Sequence, residues 1–118
     1  MDRVEVVHNN FHIRVSNGEL PSPENSPTLT EAGLAPEQLL SIFRSQVLSR
    51  QLDRISRKLQ ARGEGYYTIG SSGHEGSAAI AAALRVSDPA FLHYRDAAFQ
   101  MARSNQLPGQ TPLWDMLL

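Results

Sequence analysis

Cysteine is absent from this chain of 118 residues, which excludes a disulfide framework, a cysteine zinc site, an iron–sulfur centre and a thiol nucleophile. Charged residues make up only 19%, too few for a disordered acidic or basic tail. The formal net charge of −1 gives no gross attraction to nucleic acid or an anionic membrane, leaving room only for a local patch. No apolar run approaches the ~20 residues of a membrane span. The N-terminus has no apolar signal core, and Asp2 and Glu5 argue against an organelle transit peptide. The expectation is a soluble, cytoplasmic chain, with enough apolar residues (41%) for one modest core.

Common catalytic signatures are missing as well. There is no Gly-x-Ser-x-Gly elbow, no Walker phosphate loop and no Gly-x-Gly-x-x-Gly fingerprint. His8, His12, His74 and His93 show no HExxH spacing. His8 and His12 would share one face of a helix, but their surroundings read as strand and turn, so no metal site is expected. Ser71 and Ser72 near His74 evoke a nucleophile and base; capping of the following helix explains them better.

What is present divides at about residue 30. Val4–Val7 and Phe11–Val15 have strand-like β-branched and aromatic content, with a turn at His8-Asn9-Asn10 and a stop at Ser16-Asn17-Gly18. Pro21, Pro23 and Pro27 mark an irregular linker. Residues 1–30 are therefore expected to form an arm and Pro-rich linker, either packed on a larger body or partner or left as a free terminus.

Residues 31–118 read as the front of a larger domain. A long helix starts near Pro36 and Glu37 and ends before Gly63 and Gly65. Leu39, Leu40, Phe43 and Val47 share one face, expected to be buried, and Leu48, Leu52, Ile55 and Leu59 lie about 120° further round. Arg50, Arg54, Arg57 and Lys58 continue the first face as a basic stripe, either solvated or facing an acidic partner. A Gly- and Ser-rich loop carrying Tyr66 and Tyr67 leads into His74–Leu84, a helix with five alanines that lets a backbone or cofactor approach closely. Ala90–Tyr94 has strand length and composition, Asp96 caps a helix over Ala97–Ser104, and Thr111-Pro112 starts a last one that stops after two turns on Leu117-Leu118. That abrupt apolar ending gives the chain the look of a cut piece.

The element order suggests the opening of an α/β domain, in which ligands bind beyond strand ends and at helix N-termini. The Gly70–Gly73 loop and the His93-Tyr94-Arg95 segment are the two such places. At the second, an arginine fork and a tyrosine hydroxyl suit phosphate oxygens. At the first, Glu75 competes with an anion for the helix dipole.

Ser41–Leu59, Gly73-His74-Glu75-Gly76 before an alanine helix, Asp88-Pro89 and His93-Tyr94-Arg95-Asp96 together resemble the N-terminal part of the alpha subunit of thiamine diphosphate-dependent 2-oxo acid dehydrogenases, branched-chain (2-oxoisovalerate) type. The resemblance covers roughly residues 36–118. It implies an α/β, doubly wound thiamine diphosphate-binding domain, of which this chain holds the mostly helical front. It also implies oxidative decarboxylation of a 2-oxo acid with acyl transfer to lipoyl groups, a beta subunit or domain, a lipoyl acyltransferase component and an oligomer. Tyr94 and Arg95 would contact the cofactor diphosphate with His93 beside them, and Tyr67 would line the substrate pocket. The family's Gly-Asp-Gly…Asn signature for Mg²⁺ is missing here, and its catalytic base lies on the partner domain. The chain alone is thus expected to be an inactive fragment, with no catalytic residue and no metal ligand of its own. The competing expectation is a small helical protein-interaction module with a basic helix face. Nucleic-acid binding is disfavoured, because no aromatics are interleaved with the basic stripe.

Overall fold

A computed structural model describes residues 3–19, 24–66 and 70–117. Five helices follow one another among them: α1 Arg3–Ser16, α2 Pro36–Ala61, α3 Ser77–Ala83, α4 Ala97–Ser104 and α5 Pro112–Asp115. The described residues contain no strand, so the structure is that of a mostly helical chain. They divide into two units, Met1–Gly33 and Leu34–Leu118.

The first unit corrects the hairpin expected over residues 4–15, because the whole stretch is helical. Its β-branched residues also satisfy a helical period: Val4, Val7, Phe11 and Val15 fall on one side at i, i+3 and i+4 steps. The ends obey helix chemistry too. Glu5 lies in the first turn and Arg14 in the last, each favourable to the dipole. Gly18 takes a positive φ of 72°, while the Glu19 amide donates to Arg14 O at 2.8 Å and the Gly18 amide to Val15 O at 3.1 Å. That is a Schellman stop, so Ser16-Asn17-Gly18 ends a helix rather than a strand. The helix buries no residue. After it, the expected linker shows turns only over residues 24–33, closed by a reciprocal pair in which Thr28 Oγ1 donates to Glu31 Oε2 at 2.8 Å and the Glu31 amide donates back at 3.3 Å. Leu20 to Pro23 lie outside the described residues.

The second unit is built on α2. Pro36 opens the helix, and Gln38 Oε1 accepts the Ala35 amide at 2.9 Å. Gly63, at φ 74°, repeats the Schellman stop, with Glu64 N donating to Leu59 O at 2.9 Å. The buried face is not the one the apolar pattern indicates. Ile42, Ser45 and Ser49 point inward, whereas Leu39, Leu40, Phe43 and Val47 are exposed. The reason is steric. α3 and α4 are lined by alanines, and the serine face of α2 lets their backbones come close, where leucines would hold them apart. Ile42 joins Ala78, Ala81, Ala98, Phe99 and Ala102 in one cluster, with Leu84 against it; Met101 is also buried.

Polar side chains tie the remaining chain to this cluster. Ser45 Oγ donates to Ser41 O at 3.1 Å and receives Asn105 Nδ2 at 3.3 Å. Gln106 Nε2 donates to Ala81 O at 2.9 Å, and the Arg103 guanidinium donates to the carbonyls of Val86 and Asp88. Arg85 closes the same loop onto Asp88 with an ion pair of 2.8 Å. The Arg85 guanidinium and then its backbone amide hold the Asp88 carboxyl below the ordinary carboxylate range. The strand expected at Ala90–Tyr94 does not form. Its residues have no neighbouring strand among the described residues, and Phe91 and Leu92 stand exposed.

The close alanine contact carries a prediction. Ala98 is fully buried, so Ala98→Leu should overpack the seam and cost about 1–3 kcal/mol of stability in urea unfolding. Ala79→Leu, on the exposed side of α3, should change it by less than about 0.5 kcal/mol.

Candidate functional site

Two loops reach the core side by side: residues 70–76 entering α3 and residues 93–96 entering α4. α2 positions the first of them. Asp53 Oδ2 accepts the Ser71 amide at 2.6 Å and the Ser71 hydroxyl at 3.1 Å. The buried Ser49 Oγ lies 3.2 Å from Ser71 Oγ. Ser71 is thus a buried anchor and not the cap of α3; position N-cap belongs to Gly76, and no side chain caps that helix. A Cβ on Gly70 would meet Arg57 Nη2 at 3.0 Å and Asp53 Oδ2 at 3.5 Å. The guanidinium lies close against the loop backbone, so a larger residue at 70 would make the Arg57 side chain shift.

One turn away, Arg50 Nη2 pairs with Glu75 Oε1 at 3.0 Å, and Glu75 Oε2 accepts the Gly73 amide at 2.8 Å. Glu75 is therefore paired across to α2 through Oε1, which accepts no hydrogen bond, and tied to its own loop through Oε2. The basic stripe of α2 is not a uniformly solvated face either: Arg50 and Arg57 fold against the loop, while Arg54 Nη1 donates to Gln51 at 3.2 Å.

The second loop turns tightly on Asp96. Its Oδ2 accepts the His93 amide at 2.8 Å, and its own amide donates to His93 O at 2.9 Å. Asp96 occupies the N-cap position of α4, yet its side chain makes no bond to the helix; it closes the preceding turn instead. Oδ1 of the same carboxylate faces His74 Nδ1 at 4.0 Å, so the two loops meet at a His–Asp contact.

The turn presents the three residues singled out at its start. The rings of His93 and Tyr94 lie 3.6 Å apart at 39°, and the Arg95 guanidinium sits 5.6 Å from the centre of the Tyr94 ring, a cation–π distance. His93 and Tyr94 are exposed and Arg95 is half-buried. Arg95 Nε is buried and has no hydrogen-bond partner among the described residues, a condition it shares with Ser77 Oγ and Glu75 Oε1. An unpaired buried donor on a permanent cation is costly, and an anionic oxygen would satisfy it. Tyr67 lies outside the described residues.

His93, Tyr94 and Arg95 were legible as a cluster because they are adjacent. The residues that hold them were missed. Asp96, three residues after His93, is the spacing of a side-chain-closed turn and was a readable signal. Arg50–Glu75 and Asp53–Ser71 join distant segments, and nothing in a single sequence marks such pairs. No group of three His, Cys, Asp or Glu suited to a metal ion occurs among the described residues, and none of the described helices is long and apolar enough to cross a membrane. Comparison with family models, characterised proteins and solved structures finds no match to this chain.

Asp53 tests how firmly the first loop is held. Asp53→Ala strands the buried Ser71 amide and should lower the stability of the second unit by about 1.5–3 kcal/mol in urea unfolding. Ser72→Ala, at an exposed neighbour in the loop, should have an effect below about 0.5 kcal/mol.

Proposed function

We propose that residues 31–118 are the front part of the decarboxylating component of a thiamine diphosphate-dependent 2-oxo acid dehydrogenase, and that the turn before α4 grips the cofactor diphosphate. The observation that carries this reading is the buried, unpartnered Arg95 Nε beside an exposed Tyr94. Arg95 would give the diphosphate a charged fork and Tyr94 a hydroxyl donor, with the His93 ring tilted against Tyr94. Asp96 sets the geometry by closing the turn, and the Arg50–Glu75 pair keeps a competing carboxylate away from the anion. The chemistry the cofactor supplies when bound is an electron sink for loss of carbon dioxide from a 2-oxo acid. Mg²⁺ ligands, the catalytic base, the parallel sheet of the α/β domain and the lipoyl acyltransferase partner all belong, in this reading, to parts outside these residues, as does the beta subunit. Tyr67 is retained as the substrate-facing residue on the resemblance alone.

A second reading is favoured by a different observation. Leu40 and Phe43 of α2 are 65% and 56% exposed, as a helical protein-interaction module would leave them. A subunit of a larger assembly would leave them exposed too, so the cofactor decides between the readings.

Arg95→Ala should weaken thiamine diphosphate binding by roughly ten- to a hundredfold in the protein that carries this segment, equal to ~1.5–3 kcal/mol. Arg95→Lys should recover only part of it, because a point charge lacks the fork. Arg44→Ala is the control, since Arg44 is exposed on α2, and affinity should not change. Equal affinities for Arg95→Ala and Arg44→Ala in calorimetric titration, or no cofactor binding by any form, would leave the interaction module as the better account.

A further inference from the structure

The histidine pair near the N-terminus takes on a different meaning once residues 3–16 are a helix. His8 and His12 are four residues apart and so stand one turn above the other. Their ring centroids are 4.4 Å apart, with the planes at 74°. His12 is exposed and His8 half-buried. Imidazoles spaced i and i+4 on one helix face are a bidentate arrangement for zinc. Neutral imidazole also suits nickel and copper.

We propose that His8 and His12 form a two-imidazole site for a divalent transition-metal ion of the zinc, nickel or copper class, and that filling it staples α1. Among the described residues no third His, Cys, Asp or Glu completes a ligand group there. The staple follows from how lightly this helix is otherwise held. It has 14 residues and buries none of them, and helices of ~12–15 residues are marginal in water without packing. Val4, Val6, Val7, Ile13 and Val15 lower its propensity further. An ion that needs both rings on one face binds only the helical form, so its binding free energy adds to helix stability.

The test uses the whole 118-residue chain and zinc sulfate in a non-coordinating buffer. Calorimetry should show a site whose affinity falls at least about tenfold in His8→Ala and in His12→Ala, since losing a ligand costs no less than the 10–100-fold of losing a supporting contact. His12→Gln should fall equally; glutamine is a good helix former, so a loss there cannot come from a lost helix. Asn9→Ala, off the histidine face, should keep the affinity. With zinc at a hundred times its dissociation constant the helical form is favoured about a hundredfold, which should slow tryptic cleavage after Arg14 by up to that factor. Zinc affinity unchanged in His8→Ala and His12→Ala, absence of binding at millimolar zinc, or cleavage after Arg14 indifferent to zinc would each overturn the proposal.

Discussion

The second unit depends on a close contact between small side chains. Ile42, Ser45 and Ser49 of α2 face Ala78, Ala81, Ala98 and Ala102 of α3 and α4, so little side-chain volume separates the three helices. Hydrophobic burial from alanines is modest. Ile42, Phe99 and Met101 add the larger apolar burial, and close dispersion contacts and the hydrogen-bonded hydroxyls of Ser45 and Ser49 add to it. Because the helices lie so near, short polar side chains can span from one to the next. Ser49 reaches Ser71, Asn105 reaches Ser45 and Gln106 reaches the Ala81 carbonyl.

That closeness sets the register of the site. Once Ser49 is fixed inward, Asp53 comes round one turn later to meet Ser71, and Arg50 projects beside it toward Glu75. Of the two loops, the first is thereby pinned to α2, at Ser71 and Glu75. The His74–Asp96 contact links it to the second, and Asp96 in turn closes the bend that displays Tyr94 and Arg95. The same contact has a cost on the other side of α2, since the larger apolar residues Leu39, Leu40, Phe43 and Val47 are turned outward.

The sequence revealed α2, α4 and the short α5 through helix-start and helix-stop chemistry, and these signals are local. Pro36, Gly63, Asn105 and Thr111-Pro112 stand at the ends they announce. Two kinds of signal misled. β-branched content over Val4–Val15 pointed to strands, although the same residues also fit a helical period and Gly18 supplied a helix stop. Apolar content on α2 pointed to the wrong buried face, since packing distance to alanine helices selected serines instead. At the site, the adjacent His93, Tyr94 and Arg95 could be read directly. Their supports could not, because Arg50–Glu75 and Asp53–Ser71 are formed by tertiary packing between residues 25 and 18 positions apart.

The central claim is that the bend before α4 holds Arg95 with an unpaired buried Nε–H ready for an anionic oxygen. Nitrogen-15 correlated NMR reads that group directly, the resonance being assigned by its loss in Arg95→Lys. Titration with inorganic diphosphate, and then with thiamine diphosphate and Mg²⁺, should move the Arg95 Nε–H signal progressively and slow its exchange with water. An Arg95 Nε–H signal that stays in place while those of exposed arginines such as Arg44 and Arg62 shift would contradict the account.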